Sequence, residues 1–120
     1  MPISANDKPA LPATEFTFKI KADFLAVLGH PARLRLLEAL KLRGKTVGRL
    51  ALESQLSQPA ASKHLALLRQ AGVLVSEQTG KSVTYRVADR AVFQVLRCVN
   101  TVLLAQMRRS ERDLRTLGRF

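Results

Sequence analysis

The chain has 120 residues, enough for one domain with a modest core, and 47 % of them are apolar. Twenty Lys and Arg against nine Asp and Glu leave a net charge of +11, an excess that favours a polyanionic partner, nucleic acid foremost. No apolar run approaches the roughly 18 residues of a membrane span, no secretion-signal pattern opens the chain, and the single Cys98 excludes an intrachain disulfide or a multi-cysteine metal site, so a cytoplasmic protein is expected.

Residues 1–15 carry Pro2, Pro9 and Pro12 and little that can pack, which predicts a flexible N-terminal arm. The first helix signal is the stripe Ile20, Phe24, Val27 and Leu28, at i, i+4, i+7 and i+8. It stops at "GHP", because Pro31 cannot extend the helix it follows but suits the opening turn of the next. That second helix carries Leu34, Leu36, Leu37 and Leu40 and closes on the basic, glycine-containing "LRGK" at 42–45. A third, short helix is expected over 47–54, with Val47, Leu50 and Ala51 inward.

The stretch "LSQPAASKHLALLRQAG" at 56–72 predicts a fourth helix. Ser57 is a good N-cap, and Pro59 lies in the first turn, where a missing N–H costs nothing. Ala61, Leu65 and Leu68 form one buried stripe, and Gly72 supplies a left-handed closing residue. The period then changes from 3.6 to 2. "VLVSEQ" and "SVTYRV" form a hairpin around Thr79-Gly80-Lys81, with Val83, Tyr85 and Val87 on one face. Val92, Val95, Leu96, Val99, Leu103 and Met107 mark a long amphipathic last helix, and Arg108, Arg109, Arg112, Arg115 and Arg119 follow. The order predicts a winged helix–turn–helix, mainly α with a small β-hairpin wing (α-α-α-α-β-β-α), over 16–108, with a basic tail at 109–120.

The outer face of the fourth helix carries Gln58, Ser62, Lys63 and Arg69. Glutamine can bond two atoms of an adenine edge, serine can donate or accept, and lysine suits guanine or phosphate. Small residues at Ala60 and Ala61 let the helix end approach a groove floor, and its free N–H groups suit phosphate oxygens. Any amphipathic helix has a polar face; a place second in a helix–turn–helix of a strongly basic chain turns this one toward DNA. Lys81 at the hairpin tip and Arg86 on the face away from Val83 and Tyr85 suit groove or backbone contact, although a tip lysine also blunts an exposed strand edge. Residues 43–90 hold eight bases against three acids.

"LGHPARLRLLEAL" (28–40), "LSQPAASKHLALLRQAGVL" (56–74) and "GKSVTYRV" (80–87) together resemble the ArsR/SmtB-type transcriptional regulators, in register over roughly 18–104. The resemblance implies a homodimer whose outer helices pair across a two-fold axis. It also implies a repressor that sits on an inverted-repeat operator in double-stranded DNA until an inducer loosens it. It places Ser57, Gln58, Ser62, Lys63 and His64 where the family's reading helix meets DNA, and Lys81 at its wing tip. For His64 a DNA contact stands beside a half-buried, hydrogen-bonded position next to Leu65; His30 reads as the turn residue before Pro31. Two departures stand out: Gln55 where the family usually has glycine, and Ser54 where leucine is common, with Leu52 on the side expected to be wet.

Cysteines that bind metal in many members align with Thr46 and Gly48, and the last helix has no histidine, so neither a metal nor another cofactor is expected. Cys98, one step around from the Val95/Val99 stripe, is either a small buried hydrophobe or, with Arg97 favouring the thiolate, a redox sensor. No carboxylate pair, Ser/His/Asp set or phosphate-binding glycine loop suggests an enzyme. The alternative is an architectural or protein-interaction module with non-specific nucleic-acid affinity. Membrane binding is disfavoured, because the last helix loses its continuous apolar face beyond Met107.

Overall fold

The computed structural model describes residues 14–116. Helix α1 (Glu15–Leu28) starts where the Thr14 hydroxyl accepts the Thr17 backbone N–H at 3.3 Å. Helix α2 (Pro31–Ala39) has Pro31 in its first turn and His30 as its cap, the ring Nδ1 accepting the Ala32 N–H at 3.1 Å. There follow β1 (Lys45–Thr46), α3 (Val47–Glu53), α4 (Gln58–Gln70), β2 (Leu74–Thr79), β3 (Ser82–Val87) and α5 (Ala91–Thr116). The expected order holds with one addition. Strand β1 pairs antiparallel with β3, Lys45 opposite Tyr85 and Thr46 opposite Thr84, giving a three-stranded sheet in the order β1-β3-β2.

Two boundaries differ from those expected. The arm predicted through residue 15 gives way to α1 at Glu15, because Thr14 caps the helix several residues before the apolar stripe begins. Residues 109–116, predicted as tail, continue α5 to Thr116, since no proline or glycine interrupts that stretch. The remainder of the arm and of the tail, 1–13 and 117–120, lies outside the described residues.

The core forms where α2, α3 and α4 meet the sheet. Leu36, Leu37, Leu50, Leu65 and Leu68 are all fully buried, and Leu74, Tyr85 and Val87 close it from the strands. Only the N-terminal part of α5 joins it, through the buried Val92 and Phe93 and the half-buried Leu96. No helix among the described residues is long and apolar enough to cross a membrane.

Candidate nucleic-acid interface

The interface is built outward from the turn between α3 and α4. Gln55 adopts φ +56°, the left-handed conformation in which a glycine is usual. Its N–H donates to the Leu52 carbonyl at 3.3 Å, and the Leu56 N–H donates to the Ala51 carbonyl at 2.9 Å, so the end of α3 is closed as glycine would close it. The departure from the family pattern therefore leaves the geometry of the turn intact. Arg35 reinforces it, its Nε donating to the Ser54 carbonyl at 3.2 Å. Ser57 then caps α4, its hydroxyl accepting the Ala60 N–H at 3.2 Å.

Ala61, Leu65 and Leu68 are buried to 0 % exposure, which fixes the rotation of α4 and turns Gln58, Ser62 and Lys63 out to solvent. The far end closes as expected, with Gly72 at φ +81° and the Val73 N–H donating to the Leu68 carbonyl. Between β2 and β3 the wing turns at Gly80, φ +62°, which leaves Lys81 exposed at its tip.

These pieces meet around one polar hollow of about 370 Å³. Thr46 and Gly48 line it from the start of α3, Gln58 and Ser62 from α4, and Lys81 and Ser82 from the wing. The sequence pattern does not mark Thr46 and Gly48 as part of this surface. Thr46 caps α3 by accepting the Arg49 N–H at 3.3 Å, and Gly48 lies 3.9 Å from Gln58 Oε1 where a Cβ would stand. The cap could be read from a threonine just before a helix; the contact with α4 could not.

The other expected site residues lie elsewhere. Ser57 flanks the hollow with its hydroxyl engaged as a cap, and Lys63 is exposed on α4 outside the hollow's lining. Arg86 is exposed as the strand alternation requires, but it lines a separate hollow of about 320 Å³ with Arg43 and Arg90. His64 is half-buried, its Nδ1 accepting from Arg33 Nε at 3.2 Å and its ring 4.6 Å from that of His30. Burial first, then the neighbouring His30, Arg33 and Lys63, hold its pKa below the ordinary histidine value. Cys98 is exposed on α5.

Beside the hollow, Glu53 accepts from Lys45 Nζ and from Arg49 Nε, both at 2.7 Å. The Lys45 bond, then the Arg49 bond, hold its carboxyl below the ordinary range, so it neutralises part of the basic charge at the start of α3. Among the described residues no group of three or more His, Cys, Asp or Glu could hold a metal ion.

The sequence profile described as "Bacterial regulatory protein, arsR family" matches residues 30–76, from the cap of α2 into the wing. Rv0081 of Mycobacterium tuberculosis, an HTH-type transcriptional regulator, is 35 % identical over 91 residues, 75 % of this chain and 80 % of its own. The chain belongs to the arsR family. A second relative, the biofilm growth-associated repressor of Agrobacterium fabrum, is 31 % identical over 104 residues, 87 % of this chain and 88 % of its own. The crystal structure of Rv0081 superposes with a TM-score of 0.74 at 33 % identity, over 81 % of this chain and 98 % of that one. The homodimeric winged helix–turn–helix DNA-binding domain of Mb0332 from Mycobacterium bovis shares the fold at a TM-score of 0.70 and 20 % identity, over 83 % of this chain and 94 % of that one. In this arsR-family chain α3 and α4 are the helix–turn–helix, and β2 and β3 are the wing.

Proposed function

We propose that the protein is a homodimeric, sequence-specific DNA-binding repressor that reads an inverted-repeat operator with α4 and steadies itself on the duplex with its wing. The observation that carries this is the shared hollow, where Gln58 and Ser62 of the helix and Lys81 of the wing converge on one polar concavity. Groups that specify a base and a group that holds the backbone then act on the same stretch of duplex. The buried stripe behind α4 gives its polar end a fixed orientation, and the +11 charge supplies attraction to phosphate at any sequence. Lys63 and Arg86 add backbone contact at the edges of this surface, and Ser57 orients the helix start.

Selection of bound duplexes from a random-sequence pool tests the reading. A recovered inverted repeat with half-sites about 34 Å apart, bound at least ~10³-fold more tightly than random duplex, is the expected result. Gln58→Ala and Ser62→Ala then relax preference at a few base positions, whereas Lys81→Ala weakens all sequences alike. Recovery of no preferred sequence would instead favour an architectural module.

Release from the operator completes the reading, and the exposed Cys98 thiol on α5 is the group through which oxidation would act. Diamide or peroxide weakens operator binding by the parent protein and spares Cys98→Ser. An identical response of the two proteins removes Cys98 from the account.

A further inference from the structure

His30 and His64, far apart in sequence, meet beside the middle of α4 with ring centroids 4.6 Å apart and planes tilted by 47°. Arg33, in the first turn of α2, lies beside them and makes two bonds. Its Nη1 donates to the Val27 carbonyl in the last turn of α1 at 3.0 Å, and its Nε donates to His64 Nδ1 at 3.2 Å. A continuous link therefore runs from the end of α1, through α2, into α4. His64 directly follows Ser62 and Lys63 on that helix, but its half-buried ring is turned to this link and takes no part in the hollow.

We propose that Arg33 and His64 are positioning residues for DNA binding, forming a clamp that sets the angle of α4 by tying it to the end of α1. The clamp rests on α4 being the reading helix. It also has a chemical condition. His64 Nδ1 can accept from Arg33 only while it carries no proton, so the clamped ring is neutral with its hydrogen on Nε2. Protonation of Nδ1 replaces an acceptor with a donor and sets a positive ring against a guanidinium.

The surroundings keep the ring neutral. The groups acting on it are His30 from the turn before α2, Arg33 from α2 itself and Lys63 from α4, each cationic or able to become so. Helix α1 contributes the Val27 carbonyl, which holds Arg33 in place. His30 is anchored in turn, since its Nδ1 caps α2 by accepting the Ala32 N–H. The sign follows directly. The bonded form is the deprotonated one, so the clamp is closed at neutral pH and opens as pH falls through the His64 titration. A histidine that instead contacted phosphate would strengthen binding on the same titration, because protonation would add a positive charge to the interface. The direction of the pH dependence separates the two roles.

The test measures affinity for the duplex recovered by selection and for a random duplex of the same length, at constant salt, from about pH 8 to about pH 4.5, a range carried below the ordinary histidine titration because the His64 pKa is lowered. For the parent protein, the ratio of specific to random affinity falls about tenfold on acidification, the size expected of one lost hydrogen bond to a charged group. Arg33→Ala, and Arg33→Lys, which keeps the charge but not the two-pronged reach, begin with that loss at the upper pH and are flat. His64→Asn, whose Oδ1 accepts but does not titrate, binds like the parent at the upper pH and keeps that affinity throughout. His30→Asn, which still caps α2, keeps the acid-sensitive fall, with its midpoint moved to higher pH because the neighbouring ring no longer opposes the His64 proton. Imidazole nitrogen spectra of the free protein give a reading that needs no DNA: His64 is the Nε2–H tautomer, and its titration moves upward in Arg33→Ala. A specific affinity that rises on acidification, a flat parent profile, or an Nδ1–H tautomer overturns the clamp. Failure to recover any preferred duplex overturns the reading role of α4 instead, while the spectra still decide whether the Arg33–His64 bond exists.

Discussion

Ser54 is sealed in the core at 1 % exposure, and its hydroxyl has no hydrogen-bond partner among the described residues. The next residue, Gln55, holds φ +56°. Each carries a cost that the chain could lose. A left-handed conformation at a residue with a Cβ costs roughly 1–2 kcal/mol, of which glycine would return about half after its own larger loss of chain entropy. Gln55→Gly is therefore expected to raise unfolding stability by about 0.5–1 kcal/mol, read from the urea midpoint at an unchanged slope. Ser54→Ala should add about 1 kcal/mol by removing a desolvated, unpaired hydroxyl. A loss of stability in Ser54→Ala would mean that the hydroxyl is bonded in solution. Both positions stood out in the sequence as departures from the family pattern. What the sequence could not give is that the backbone keeps its left-handed turn regardless, so that the departures change energy and leave the site's shape alone. His64 marks a different limit of the sequence. Its position on α4 was legible, but whether its ring faces DNA or core depends on Arg33, which reaches it from another helix.

At the scale of elements, periodicity served best where one face is fully enclosed. The stripe Ala61, Leu65 and Leu68 is at 0 % exposure throughout, and the rotation of α4, hence the outward placement of Gln58 and Ser62, follows from it. The stripe of α1 behaves otherwise. Leu28 is buried and Val27 packs against the core, but Ile20 and Phe24 remain 49 % and 36 % exposed. A period shows that a face is apolar and not what covers it. Strand β1 is almost silent in the sequence, because two residues carry no alternation and its partner, β3, lies far along the chain. Its one trace is Gly44, where a Cβ would stand 3.0 Å from the Tyr85 carbonyl oxygen. Alternation did place Arg86 on the outer face of β3, yet at about 3.3 Å per residue it stands some 17 Å along the strand from Lys81. It therefore joins Arg43 and Arg90 and not the hollow between α4 and the wing.

At the scale of the whole molecule, the exposed apolar surface is concentrated on two helices that the single chain leaves half-covered. Every residue from Arg97 to Asp113 is exposed, roughly 25 Å of helix, and Val99, Val102, Leu103 and Met107 lie within it. Phe16, Ile20 and Leu25 extend the same kind of surface along α1. Exposed apolar area of this extent suits an interface, and in the homodimer proposed above a second copy would bring the same two faces by symmetry. Val99→Glu combined with Leu103→Glu is then expected to yield a monomer by sedimentation while leaving helix content unchanged, since neither side chain belongs to the core around α4. The consequence for DNA follows from the number of subunits engaged. With one reading helix per complex, affinity for the two-half-site duplex falls at least ~100-fold, because the second contact no longer gains from being tethered to the first. Affinity for a single half-site changes little. The log–log salt dependence becomes about half as steep, since one subunit's phosphate contacts release counterions in place of two. A monomeric variant that kept the parent's slope would mean that a single subunit makes all the phosphate contacts, and the two-fold reading of the operator would fall with it.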